Sequence, residues 1–154
     1  MKTLIMIAFL VTCIGCRANP DLEAEKAELM RLHEAQRRAH FDRNVDPMTE
    51  GHVPQRIQIN GGELSYTTPE QTRARFERYF GRVEFLRWDD TIEPIIVVSD
   101  DATLANTFVQ KLVVVSYQDE RGAKQLDTTR FAWTTTYRKI NDQWQMIAVT
   151  STRK

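Results

Sequence analysis

Three observations predict an α+β fold with helices packed on an antiparallel sheet. Apolar residues recur at three- and four-residue spacing in the first half of the chain, as on a helix face. At Val83 the period changes to two and stays there, as on strands with one buried face. Near the C-terminus, Asn141-Asp142 separates two runs rich in Thr, Tyr, Trp, Val and Ile. This residue pair accepts the positive φ of a two-residue hairpin turn.

The N-terminal segment reads as an address. Lys2 precedes the apolar run Leu4 to Val11 and then small residues, the layout of a secretory signal. The run is shorter than the roughly 20 apolar residues that a spanning helix needs. Ile14-Gly15-Cys16 resembles the end of a bacterial lipoprotein signal, with Cys13 where that motif usually carries leucine. The resemblance implies that residues 1–15 are removed, that Cys16 carries lipid and that residues 16–20 form a short tether to a domain spanning 21–154. It also associates Arg17, in place of an Asp, with an outer membrane facing the periplasm in Gram-negative bacteria. Cleavage after Ala18, with loss of Cys16, is the alternative.

The rest of the chain has the size and apolar content of one domain: 154 residues in all, 42% of them apolar. Its 21 basic and 21 acidic residues cancel, and loss of Lys2 with the signal leaves 20 against 21, so charge points to no nucleic-acid partner. Both cysteines, Cys13 and Cys16, lie in the N-terminal segment, so residues 21–154 form no disulfide among themselves.

The first helix is expected from about Pro20 to Asp42. Asn19 serves as cap and Pro20 as first helical residue, with Asp21, Glu23 and Glu25 at the positive end of the dipole. Its buried stripe is Leu22, Leu29, Leu32, Gln36 and Ala39, with His33 and His40 beside it. Asp46-Pro47 repeats the cap-then-proline signal for a short second helix ending near Gly51. A brief strand at Arg56 to Ile59 and a turn at Gly61-Gly62 follow. Thr68-Pro69-Glu70-Gln71 has the residues of a capping box and opens a third helix, which presents Phe76, Tyr79 and Phe80 and stops at Gly81. Then come Val83 to Val98, broken at Glu93-Pro94, next Thr103 to Tyr117, and finally the hairpin.

A two-residue turn sets the hairpin register. Lys139 opposes Trp144, Tyr137 opposes Met146, Thr135 opposes Ala148 and Trp133 opposes Thr150, all on one face. The opposite face carries Ala132, Thr134, Thr136, Arg138, Gln145, Ile147, Val149 and Ser151.

Several features together resemble the nuclear transport factor 2-like superfamily, which includes SnoaL-like domains and ketosteroid isomerase. They are the long first helix, Asp46 opening the second, Thr68-Pro69-Glu70-Gln71 opening the third, Asp100 to Ala105 leading into a strand, and Tyr137-Arg138-Lys139-Ile140-Asn141-Asp142-Gln143-Trp144. The resemblance implies a cone in which helices and a strongly bent antiparallel sheet enclose a hollow open at one end.

On that expectation the bulky hairpin face looks into the cone. Its small residues Thr135, Ala148 and Thr150 floor a hollow walled by Trp133 and Tyr137, and His40, Tyr66 and Trp88 complete the pocket. The leading reading is a cell-envelope domain that binds a small apolar or amphipathic molecule without converting it. A second is an isomerase- or dehydratase-type enzyme, with His40 and one of Asp46, Asp89 or Glu93 as the acid–base pair and Tyr66 or Tyr137 as donor to an oxyanion. Asp89 and Asp90 adjoin on a strand, so at most one points inward. Relatives that act through histidines late in the last strand differ here, since the inward positions are read as Ala148 and Thr150. A third reading is a scaffold or interaction module with a filled cone, which forms homodimers through Thr134, Thr136, Ile147 and Val149 on the outer face. No cofactor or metal is expected. His33 and His40 stand roughly 10 Å apart along the helix axis, too far to share an ion, and His52 is placed in a solvated loop.

Overall fold

The computed structural model describes residues 19–154, so the signal segment and Cys16 lie outside the described residues. The first helix, α1 (Leu22–Asp42), starts two residues after the expected position. Asp21, not Asn19, is the cap, and its carboxylate accepts from the backbone N–H of Glu23 and Ala24. Leu29, His33, Ala39 and His40 are its buried residues. The Asp46-Pro47 signal yields one 3₁₀ turn, Asp46–Met48. The other long helix, α2 (Pro69–Phe80), opens with the full capping box between Thr68 and Gln71. Among the described residues no helix is long and apolar enough to cross a membrane.

Seven strands form one curled sheet: β1 (His52–Asn60), β2 (Glu63–Thr67), β3 (Val83–Asp90), β4 (Ile95–Val98), β5 (Leu104–Gln118), β6 (Lys124–Ile140) and β7 (Gln143–Arg153). Their order is β2-β1-β7-β6-β5-β3, with β4 also on β5. The expected antiparallel sheet is in fact mixed, because β1 runs parallel to β7. β1 is also longer than the Arg56 to Ile59 expectation and includes His52, where the sequence predicts a solvated loop.

Three irregularities curl the sheet into a cone. On β3, Phe85 opposes Val115 while Arg87 opposes Val114, so Leu86 is extra and both Phe85 and Trp88 point inward. On β1, the five steps from His52 to Ile57 match the two from Met146 to Ala148, which folds Arg56 into the interior. Pro54, unable to donate to a ladder, lies in that irregular stretch. On β7, Ile147 is extra, because Tyr137 opposes Met146 but Thr136 opposes Ala148.

The last bulge corrects the hairpin reading. The expected register holds as far as Tyr137 and Met146 and then slips by one, so that Thr135 opposes Val149 and Trp133 opposes Ser151. A slip of one residue exchanges the faces of a strand. Val149 and Ser151 therefore look into the cone, and Ala148 and Thr150 look out.

The core has two parts. Ala39, Met48, Phe80, Phe85, Trp88, Val113 and Val115 pack at one end. Leu29, Ala105, Tyr137, Trp144 and Met146 pack at the other. There Glu25 of α1 pairs with Lys139 and accepts from Trp144 Nε1 at 2.8 Å, tying the helix to the hairpin.

Candidate functional site

Within the cone a cavity of about 270 Å³ opens between the C-terminal half of α1, α2, β1 and the inner faces of β3, β6 and β7. One side is aromatic. His40 stacks on Trp88 with ring centres 4.3 Å apart and 25° between planes, and it meets Phe85 edge-on at 5.1 Å. Trp133 lies 5.9 Å from Trp88, and Phe76 and Phe131 extend the wall. The α1 period brings His40 to this surface, and the Leu86 bulge brings Phe85 and Trp88 together beneath it.

His40 Nδ1 donates to the Gln36 carbonyl at 2.7 Å, which leaves Nε2 as an acceptor on a ring that lines the cavity. Burial pushes this histidine down to about 4, helped by the charge of Lys111 and opposed by the Gln36 bond. At neutral pH it is an uncharged imidazole.

The other side is polar and cationic. Arg56 is 5% exposed, and Arg75 reaches across from α2. Gln58 Oε1 accepts from Arg56 Nη2 at 3.5 Å and from Arg75 Nη1 at 3.4 Å. Arg56 Nη1 has only Met146 Sδ at 2.9 Å and His52 Nε2 at 3.5 Å, and its buried Nε has no partner. Burial, then the charge of Arg75, lowers Arg56 to about 10, so it stays cationic at neutral pH. Burial and the two arginines push His52 down to about 4. Thr135, Asn60 and Ser151 complete this side. Among the described residues no aspartate or glutamate lines the cavity.

Behind the aromatic wall lies a separate buried ionic group. Lys111 Nζ is 2.6 Å from Asp90 Oδ1 and 3.8 Å from the centre of the Trp88 ring, and Asp90 Oδ2 meets His33 Nε2 at 2.9 Å. Burial lowers Lys111, and Asp90 partly restores it. His33, Glu34 and Asp90 place ligand atoms within 4.8 Å of one another, as a metal site would. Lys111 already supplies the cation there, and a second one would meet its charge.

Of the residues named from sequence, His40, Trp88, Trp133 and Thr135 line the cavity. Ala148 and Thr150 do not, because of the Ile147 bulge. Tyr66 is on the edge strand β2 and 59% exposed. Tyr137 is buried in the other part of the core, and burial raises it to about 12.

The proposed acids are not brought to His40. Asp46 is exposed and pairs with Arg73 at 2.7 Å, Asp89 pairs with Arg87 and Arg37, and Glu93 is exposed between β3 and β4. The one inward acid of the Asp89-Asp90 pair is Asp90, and Lys111 and His33 occupy it. On the outer face Thr134 and Thr136 are as expected, while Val149 is not. Exposed apolar residues on this face include Ile95, Val97, Leu104 and Phe108, on β4 and β5. Sequence reasoning missed Arg56 and Gln58, whose only signal was polar residues alternating on a short strand, and Arg75, which lies one residue before Phe76 on α2 with no signal of its own.

No protein-family model matches the chain, and no curated protein matches it in sequence. Solved structures do match. A nuclear transport factor 2-like protein from Cytophaga hutchinsonii superposes with a TM-score of 0.63 at 15% identity, over 82% of this chain and 96% of that one. A putative dehydratase of the nuclear transport factor 2-like family from Streptomyces avermitilis gives 0.63 at 9% identity, over 84% and 95%. A putative calcium/calmodulin-dependent protein kinase II association domain from Xanthomonas campestris gives 0.56 at 18% identity, over 87% and 91%. Two helices against a curled, open, mixed sheet, in this element order, make the described chain a nuclear transport factor 2-like fold.

Proposed function

We propose that this chain is an exported, lipid-anchored domain that binds a small apolar or amphipathic molecule in its cone without converting it. The cavity carries this reading: about 270 Å³ of space against an aromatic wall, with no carboxylate in its lining to serve as a base beside His40. Native mass spectrometry of the protein purified from its own host tests it. A retained small molecule, lost on substitution of Val149 by Phe, supports binding; a ligand-free protein that also fails to take up apolar probes counts against it. For the address, labelling with a palmitate analogue is expected in the wild type and lost in Cys16→Ser. Equal labelling of both defeats lipidation.

The sheet exterior supports a homodimer. Ile95 opposes Phe108 on adjacent strands, and both are exposed beside Val97 and Leu104, a patch that a second copy would cover by two-fold symmetry. Sedimentation velocity is expected to show a dimer that Phe108→Glu converts to a monomer. A wild-type monomer at high concentration removes this proposal.

A further inference from the structure

Arg56 is a buried charge without an ionic partner inside the cone, and Arg75 stands beside it at the exposed rim. Arg56 is almost wholly buried, its Nε has no acceptor, and the acceptors of its other nitrogens are a thioether, a ring nitrogen and an amide oxygen. Arg75 uses the same amide oxygen. Among the described residues neither guanidinium has a carboxylate within ion-pair distance, and Arg56 is the buried one among the arginines without such a partner. A buried charge is ordinarily paired, and two like charges sharing one neutral oxygen repel. The cavity between them and the aromatic wall holds about nine water volumes at ~30 Å³ each, the size of a ring with a short acidic arm.

We propose that the cavity takes a small organic carboxylate, its charged end held by Arg56 and Arg75 and its apolar body lying against Trp88 and Trp133. This rests on the small-molecule-binding reading and names the ligand class for it. Guanidinium groups present paired N–H donors to a carboxylate, and such charge-assisted bonds gain strength in a low-dielectric site. His40 Nε2 is the acceptor open to a hydroxyl or N–H on the ligand body.

Calorimetric titration of the protein with acids and their neutral amides separates this inference from the reading beneath it. The probes are phenylacetate, indole-3-acetate and octanoate, each beside its primary amide, together with inorganic phosphate, all at low ionic strength. At least one acid is expected to bind more than tenfold tighter than its amide, and salt is expected to narrow that gap. Arg75→Met, at the exposed rim, is expected to weaken the acid tenfold or more and change the amide less than twofold. Arg56→Met should act the same way if near-ultraviolet circular dichroism shows it folded; Arg75→Met decides the matter if it is not. Amides binding as tightly as acids overturn the anion inference and leave the cavity reading standing. Phosphate binding as tightly as the acids overturns the organic part, and no binding by any probe at millimolar concentration overturns both.

Discussion

Lys111 and Asp90 face each other across β5 and β3 with 2.6 Å between Nζ and Oδ1, and the lysine is sealed from solvent. Desolvating this pair is costly, and Trp88 and His33 offset part of the cost by taking up the remaining charge on each partner. Lys111→Met leaves Asp90 buried with only His33. It is expected to lower stability to urea by about 3–5 kcal/mol, with the double variant Lys111→Met/Asp90→Asn recovering much of the loss. Equal stability of the two variants would show that the pair is not coupled.

The Ile147 bulge decides which face of β7 lines the cavity, and two neighbouring substitutions read it out. Val149→Phe is expected to fill the cavity and abolish ligand uptake at a cost of about 1–3 kcal/mol in stability. Ala148→Phe points outward and is expected to leave uptake unchanged. The reverse pattern would restore the register of a plain two-residue hairpin.

His40 ties stability to pH. Its ordinary value of 6.5 falls to about 4 in the folded chain, so between those values the unfolded chain binds more protons. Stability is therefore full above pH 6.5 and is lost as pH falls toward 4, by on the order of 3 kcal/mol from this residue. His52 shifts in the same direction. Urea midpoints between pH 7 and pH 4 are expected to fall more steeply in the wild type than in His40→Phe. Parallel curves would assign the slope to other groups.

Glu25 joins α1 to both strands of the hairpin through Lys139 and Trp144. Glu25→Ala leaves the indole N–H and the ammonium without their acceptor, so a loss of about 1–3 kcal/mol is expected in urea unfolding. Glu25→Gln, which keeps an oxygen for Trp144, is expected to lose less.

Much of the architecture was legible in local chemistry. Thr68-Pro69-Glu70-Gln71 starts α2 where its capping box requires, Asn141 and Asp142 both adopt positive φ in the hairpin turn, and the change of period at Val83 marks where continuous strand begins. These signals act over a few residues, so one chain displays them in full. His40, Trp133 and Thr135 were likewise legible as inward positions, since helix and strand periods set their faces, whereas Trp88 turns inward beside Phe85 through the Leu86 bulge.

Tertiary structure decided the rest. Leu86 and Ile147 are bulges that nothing in their own sequence distinguishes from regular strand, and only Pro54 marks the irregular stretch after His52. Each reassigns faces downstream, which is how Val149 and Ser151 replaced Ala148 and Thr150. The parallel pairing of β1 with β7 is longer in range still, joining Gln58 to Val149 across the chain. That pairing buries Arg56 and, with α2 laid beside it, brings Arg75 to the same oxygen. By itself the sequence determined α1, α2, the strands after Val83 and their order, together with His40 and Trp133 in the aromatic half of the cone, but not β2. Curvature and long-range pairing, which no local signal encodes, placed two unpaired arginines in the other half.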